Sequence, residues 1–386
     1  MKKVLFVTYG GGHVKMTAPV AKALADSGKA RVVVLGLTTA APQVRAANLD
    51  LIQFRDLIEE GDEIALAWGE HLAIGMVKNS SVDHGETVAY LGLCFSELVE
   101  DMGLAAAQAL FERNGRHAFL PVRTMERMLA QLMPDLVVTT NSPRAERAAV
   151  LAARRMGIPA VCMVDLFAKD EVGWIGAKDY ADSVCVLNDS VKKFLVAAGR
   201  ESSQIHVTGN PNFDALCEPS LKTRGEAFAF VDEPAVHPFN GTVGQPEAPT
   251  RALSALVDFV MLRADFVLCV RPRPGHPAPC LPADDRVLLT GQDWALPELL
   301  GAVDMVVAMN STIAVEGYFA GVHVIKLLGS VFDEAMPLVE YGLAQEQATI
   351  DAIGSAILRI AKLPHRRVLQ PEPATERVLR VIEAYL

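Results

Sequence analysis

Short apolar runs, each followed by a stretch with helical spacing, recur along this 386-residue chain and restrict it to one class of architecture. "VLFVT" (Val4–Thr8) precedes an amphipathic segment that begins near Val14, and "RVVVLGL" (Arg31–Leu37) follows it. "PDLVVTT" (Pro134–Thr140) comes after a helix ending near Leu132, and "RAAVLAARRMGIPAVCMVD" (Arg147–Asp165) reads as helix, Gly turn, strand. "SVCVLN" (Ser183–Asn188) closes this first set. A second set opens at "QIHVTGN" (Gln204–Asn210) and continues through "FVLCVRP", "RVLLTG", "DMVVAMN" and "VHVIKL". Strand and helix in alternation build parallel sheets covered on both faces. The chain is therefore expected to form two similar doubly wound α/β halves, 1–195 and 196–365, with the junction between Asn188 and Gly209. An amphipathic helix, "PATERVLRVIEAYL", closes the chain within 366–386. Two stretches break the rhythm: Asp62–Arg123 reads as a helical insertion, and Glu233–Pro249, rich in Pro and Gly, reads as a loop.

Charge narrows the partners. With 36 basic against 46 acidic residues, a net charge of -10 and no basic run, nucleic acid is not an expected partner, and small molecules or another protein are. Lys2 and Lys3 precede an apolar run too short for a signal peptide. No segment approaches the ~20 apolar residues of a membrane helix, which leaves only peripheral contact with a membrane open. The six cysteines are scattered through mostly apolar runs with no C-x-x-C pair, as reduced core residues of a cytoplasmic protein would be.

Ligands of open parallel sheets sit beyond the carboxyl ends of the strands, and the distinctive motifs fall there. After the first strand come Gly10, Gly11, Gly12 and His13: the glycines permit positive φ and close backbone approach, and the histidine can exchange a proton near neutrality. A tight turn with a locally packed histidine is the plainer reading. In "VVAMNSTIAVEGYFAG" (Val306–Gly321), Asn310, Ser311 and Thr312 stand where they can cap a helix and donate to a phosphate. Glu316, four positions after Thr312, lies on the same helix face and can accept from ribose hydroxyls. In "CVRPRPGHPAP" (Cys269–Pro279), Arg271, Arg273 and His276 leave a strand in a stiff frame suited to phosphate. "VTGNPNFDAL" (Val207–Leu216), with Gly209 and Asn210, is either a turn opening the second half or part of its ligand site. In the insertion, Asp83, His84 and Glu86 form a polar loop before a helix, and Arg113, Arg116 and His117 follow. An acceptor-recognition lid and a solvated helical hairpin both account for them.

In this order the motifs resemble the GT-B glycosyltransferase superfamily, which includes the UDP-N-acetylglucosamine 2-epimerases. "GGGHVKMTAPVAKAL" is similar to the glycine loop of the peptidoglycan N-acetylglucosaminyltransferases, and its later half to the same helix in the 2-epimerases. "RPGHP" and "NSTIAVEG" are similar to motifs of bacterial capsule, sialyl and Kdo transferases. The resemblance implies two Rossmann-like doubly wound domains facing a central cleft. The second would hold the nucleotide sugar, with Gly209, Asn210, Arg271, Arg273, His276, Asn310, Ser311 and Thr312 towards the phosphates and Glu316 on the ribose. The first would bind a saccharide or lipid-linked acceptor through Gly10, Gly11, Gly12, Asp83, His84 and Arg116. The final helix would cross back onto the first domain. Such transferases typically need no metal, and neither a D-x-D motif nor a His/Cys ligand cluster is found, so no metal and no cofactor beyond the sugar donor are expected.

The favoured activity is metal-independent glycosyl transfer in bacterial surface polysaccharide or glycoconjugate synthesis, with His13 or Asp165 taking the acceptor proton and the cationic loop stabilising the departing phosphate. A 2-epimerase or nucleotide-sugar hydrolase is the alternative. The 2-epimerases carry Gly-Thr-Arg-Pro-Glu where this chain has Gly10 to His13, and Gly-Asp-Thr where it has Thr139, Thr140 and Asn141. They carry His-Val-Glu-Ala-Gly where it has "MVDLF", and His-Arg-Arg-Glu-Asn where it has "RPRPGHP". That leaves Asp165 as the one corresponding carboxylate. A non-catalytic nucleotide-sugar-binding protein is the third reading.

Overall fold

The computed structural model describes residues 1–75, 82–216, 227–231, 243–245, 247–272, 278–291, 294–364 and 372–386. The chain forms two compact units: Met1–Asn212 together with Glu372–Leu386, and Phe213–Pro371.

The first unit is built on seven strands: β1 (Lys2–Thr8), β2 (Ala30–Gly36), β3 (Asp50–Ile52), β4 (Leu136–Thr139), β5 (Ala160–Met163), β6 (Ser183–Val186) and β7 (Ile205–Val207). All pair in parallel in the order β3-β2-β1-β4-β5-β6-β7. The order runs outwards from β1 in both directions, so connections after β1 and β4 diverge and leave a crevice at their carboxyl ends. Val4, Leu5, Phe6 and Val7 are wholly buried. A central strand covered on both faces has no solvent side to alternate towards, hence the continuous apolar run.

β7 corrects an expectation. "QIHV" does not open the second half; its residues pair Ile205 with Val184 and Val207 with Val186 and complete the first sheet. β3 escaped the sequence reading because three edge residues, "DLI", carry too little periodicity.

The second unit carries β8 (Ala227–Val231), β9 (Val267–Val270), β10 (Val287–Leu289), β11 (Met305–Ala308), β12 (His323–Leu328) and β13 (Glu346–Thr349), parallel throughout in the order β10-β9-β8-β11-β12-β13. Its switch point lies between β8 and β11. One face of the sheet packs on helices Glu247–Met261 and Ile353–Ile360 through Phe228, Phe230, Leu256, Val260, Ile353 and Ile357.

The insertion is helical, as its spacing suggests: Glu63–Ala73, His84–Met102 and Leu104–Asn114. The first two touch through glycines. A Cβ on Gly92 would lie 2.1 Å from the Ala65 carbonyl oxygen, and one on Gly69 would lie 2.1 Å from that of Val88, so backbone meets backbone there. Tyr90, Phe95, Phe111 and Phe119 fasten the insertion together by edge and stacked ring contacts. The last helix, Ala374–Glu383, buries Val378, Leu379 and Ile382 in the cluster that holds Val14, Val20 and Leu24 of the first helix, Gly12–Asp26. Lys29 pairs with Glu383 at 2.7 Å beside it.

Cys94, Cys162, Cys185 and Cys269 are buried free thiols, whereas Cys280 is exposed, against the expectation that all six sit in the core; Cys217 lies outside the described residues. Among the described residues no helix is long and apolar enough to cross a membrane.

Candidate functional site

The crevice of the first unit gathers side chains from the loops after β1, β4, β5 and β7. The glycines after β1 have different tasks. A Cβ on Gly10 would fall 1.8 Å from Thr39 Oγ1, so the close approach of Thr39 by itself requires glycine at this position. Gly11 has φ 69° and open space around it, the left-handed conformation that glycine adopts without strain. Gly12 also has open space and starts the helix. Thr17 Oγ1 donates to Thr8 Oγ1 at 3.0 Å and bonds the His13 carbonyl at 3.1 Å, which pins the first turn to the strand end.

His13 is 22% exposed. Its Nδ1 bonds Thr140 Oγ1 beyond β4, and the Thr140 hydroxyl donates to Glu146 Oε2. Glu146 is 0% exposed and also accepts from the backbone N–H of Tyr9 at 2.8 Å and of Ser142 at 3.1 Å. A threonine hydroxyl has one proton, and here it is committed to Glu146. Thr140 Oγ1 must then accept from His13 Nδ1–H, which leaves the lone pair of neutral His13 on Nε2. The chain His13, Thr140, Glu146 thus fixes the tautomer and orientation of the imidazole and sets a buried carboxylate behind it.

Asp165, beyond β5, forms a reciprocal pair with Asn141: Asn141 Nδ2 donates to Asp165 Oδ1 at 3.0 Å, and the Asp165 N–H donates to Asn141 Oδ1 at 3.1 Å. The same Asn141 amide donates to Glu171 Oε1 at 3.1 Å. Glu171 is only 4% exposed, and burial, reinforced by the Asp165 charge, pushes its carboxyl up to about 8. Near neutrality the pair therefore offers a protonated acid beside Asp165. Neither Glu171 nor Glu146 stands out in the sequence; their contacts with Asn141 and Thr140 bring them to the crevice.

Gly209 and Asn210 also belong to this unit, not to the nucleotide-holding half to which they were assigned. Asn210 Nδ2 donates to the Asp165 carbonyl at 2.7 Å, and Asn210 Oδ1 accepts from the Asn212 N–H at 2.9 Å, so the turn after β7 braces the turn after β5.

In the second unit, Asn310, Ser311 and Thr312 follow β11 at the switch point, but the helix starts only at Ile313 and Thr312 makes no side-chain capping bond. Asn310 Oδ1 instead accepts from Lys326 Nζ at 2.5 Å, and Lys326 also donates to the Met309 carbonyl at 2.8 Å. Lys326, 2% exposed, lies 3.8 Å from Asp333 Oδ1. A cation thus lies buried under this turn; a lysine inside the apolar run "VIKLL" was the signal that could have revealed it. Ser311 is buried, Thr312 exposed and Glu316 half-buried in the first turn of the helix. Arg271 donates from Nη1 to the Trp294 carbonyl at 2.9 Å. Arg273 and His276 lie outside the described residues.

The insertion residues divide. Asp83 is the N-cap of His84–Met102 and accepts from the N–H of Gly85 at 2.9 Å and of Glu86 at 3.4 Å. Glu86 does not stand in a polar loop: it is buried and accepts from the N–H of Phe54 and Arg55, because its helix turns it into the domain. His84 pairs with Glu70 at 3.1 Å on the surface, and Arg116 is exposed on a short turn, Gly115–Ala118. Asp83→Ala is expected to remove about 1 kcal/mol of stability, the usual worth of an N-cap, while leaving nucleotide affinity unchanged. Urea denaturation checks it; an unaltered midpoint removes the capping role. Among the described residues no cluster of His, Cys, Asp and Glu could hold a metal ion.

No protein-family profile matches the chain, and no curated protein matches it. Solved structures do. The UDP-GlcNAc 2-epimerase of Methanocaldococcus jannaschii in complex with UDP-GlcNAc and UDP is similar over 100% of both chains, with TM-score 0.60 and 12% identity. S. aureus MnaA in a co-structure with UDP is similar over 100% of this chain and 97% of that one, with TM-score 0.61 and 14% identity. The glycotransferase of kitacinnamycin is similar over 100% of this chain and 99% of that one, with TM-score 0.59 and 16% identity. The fold is the GT-B fold, shared with enzymes of both kinds.

Proposed function

We propose that this chain is an enzyme that binds a nucleotide sugar and transfers the sugar to an acceptor hydroxyl. The observation that carries the reading is the oriented histidine: His13, held through Nδ1 by Thr140 and Glu146, presents a basic Nε2 beside the glycine loop. Nε2 would take the acceptor proton as its oxygen attacks the anomeric carbon, and Glu146 would stabilise the resulting imidazolium through Thr140. The turn Asn310–Thr312 over buried Lys326, with Arg271, would hold the diphosphate and stabilise it on departure, and Glu316 would accept from the ribose. A bacterial surface polysaccharide or glycoconjugate is the proposed product.

One observation favours a second reading, epimerisation or hydrolysis without an acceptor. Asp165 and protonated Glu171, joined by Asn141, supply the base and acid that elimination and re-addition need. Incubation with UDP, CMP, CDP and GDP sugars in D2O, with and without saccharide and lipid-linked acceptors, separates the two. Nucleotide release that depends on acceptor, with no deuterium in the sugar, is the expected result. Deuterium entering the sugar ring, or nucleotide released, without acceptor gives the protein to the second reading, and binding without either reaction removes both.

A further inference from the structure

Arg144 lies in the β4 loop, two residues before Glu146. Its guanidinium stacks over the Tyr9 ring at 4.5 Å, and its Nε is buried with no hydrogen-bond partner. Tyr9 immediately precedes Gly10, and its hydroxyl meets that of Tyr90 at 3.1 Å and accepts from the Ala145 N–H at 3.3 Å. Tyr90 packs edge-on against Phe119, ring centres 6.1 Å apart, and Phe119 ends the short turn that carries Arg116 and His117. The aromatic ladder therefore brings the insertion's basic turn up to Arg144 and the glycine loop. Among the described residues none of Arg144, Arg116 and His117 has a carboxylate ion-pair partner. Burial, and then the charges of Arg144 and Arg116, hold the His117 imidazole below its usual range, which puts the three cations within reach of one another's fields; the Glu146 carboxylate also acts on Arg144.

A half-buried arginine stacked on Tyr9 and hydrogen-bonded to Tyr90, with no carboxylate at ion-pair distance, has already lost much of its hydration and keeps further N–H donors for another anion. The chain as a whole carries a net charge of -10, which repels anionic molecules unless a local cationic site receives them. We infer that Arg144, with Arg116 and His117 at the rim, forms a subsite for an oxyanion carried by the acceptor, a phosphoryl or carboxylate group that anchors it while its hydroxyl meets His13. The inference rests on the acceptor-transfer reading and adds the chemical class of that acceptor.

Titration of the full chain with inorganic pyrophosphate, with glucuronate and with uncharged glucose, followed by calorimetry, tests it. Pyrophosphate or glucuronate should bind, and which of them binds more tightly distinguishes a phosphoryl from a carboxylate acceptor; glucose should not bind. Arg144→Gln should weaken anion binding about tenfold or more, the effect of losing one charged hydrogen-bonded pair. Because Arg144 is half-buried, the exposed double variant Arg116→Ala, His117→Ala supplies an arm in which folding is not at risk, with a smaller loss in the same direction. Anion binding unchanged in both variants, or absent in the wild type, overturns the inference. Because pyrophosphate can also occupy the proposed diphosphate turn Asn310–Thr312, the readouts are glucuronate binding and the part of pyrophosphate binding that depends on Arg144, and a separate titration with nucleotide sugars decides the nucleotide-binding reading.

Discussion

His13→Ala is expected to lower kcat by about 10²–10⁴-fold, the usual worth of a positioned general base, with nucleotide affinity nearly unchanged. The size follows from the geometry of one hydrogen-bond chain. Glu146 is wholly buried and accepts a hydrogen bond from the Thr140 hydroxyl, Thr140 Oγ1 then accepts from His13 Nδ1–H, and the lone pair of the neutral imidazole is left on Nε2. Thr140→Val keeps the histidine but frees its tautomer, so it should show a smaller loss in kcat in the same direction. Asp165 is the competing candidate, and its position differs in kind: Oδ1 already accepts from the Asn141 amide at 3.0 Å and from the Leu166 N–H at 2.7 Å, so that oxygen's lone pairs are engaged by the protein. Steady-state kinetics of His13→Ala and Asp165→Asn side by side decide between them. Full kcat in His13→Ala with loss in Asp165→Asn would transfer the base to Asp165 and reduce the glycine loop to a binding surface.

What could be read from the sequence depended on whether local pattern or tertiary contact sets the feature. The continuous apolar runs of β1, β4 and β11 announce buried parallel strands by themselves, and glycines straight after β1 announce a strand-end loop. β7 was misplaced because its partner is a spatial matter: "QIHV" reads the same whether it pairs with β6 or begins another sheet, and only the pairing of Ile205 with Val184 decides it. The same limit hid Glu146 and Glu171. Glu146 sits in the first turn of a helix, where acids are common, and Glu171 lies in "AKDEVG", which has no periodicity; burial and the Thr140 and Asn141 contacts give them chemistry. Asp83 shows how alike two causes of a polar cluster look in sequence: its carboxylate makes N-cap bonds, a role the spacing allows as readily as a ligand contact.

Glu171 supplies the other large expected effect, a loss of stability between pH 6.5 and pH 8. Its folded carboxyl titrates near 8 against an ordinary 4.5, because burial and then the Asp165 charge disfavour ionisation. A group with a raised folded pKa contributes stability that is complete below its unfolded value and is lost as pH rises through the folded value, at about 1.4 kcal/mol per pH unit. Across the window that amounts to about 2 kcal/mol from Glu171. Glu86, raised to about 7 by burial, adds a smaller fall of the same sign. His117 and His206, lowered chiefly by burial, act in the opposite direction, but their contribution is lost only as pH falls below their ordinary 6.5 and so lies outside the window. Urea denaturation of the wild type at the two pH values should show the fall, and Glu171→Gln, which cannot ionise, should remove most of it. Equal falls in both proteins would mean that Glu171 is ionised throughout, and Asp165 would then have no acid partner at neutral pH. The elimination reading needs that proton and acceptor transfer through His13 does not, so the stability slope of one variant bears directly on which of the two reactions this site can perform.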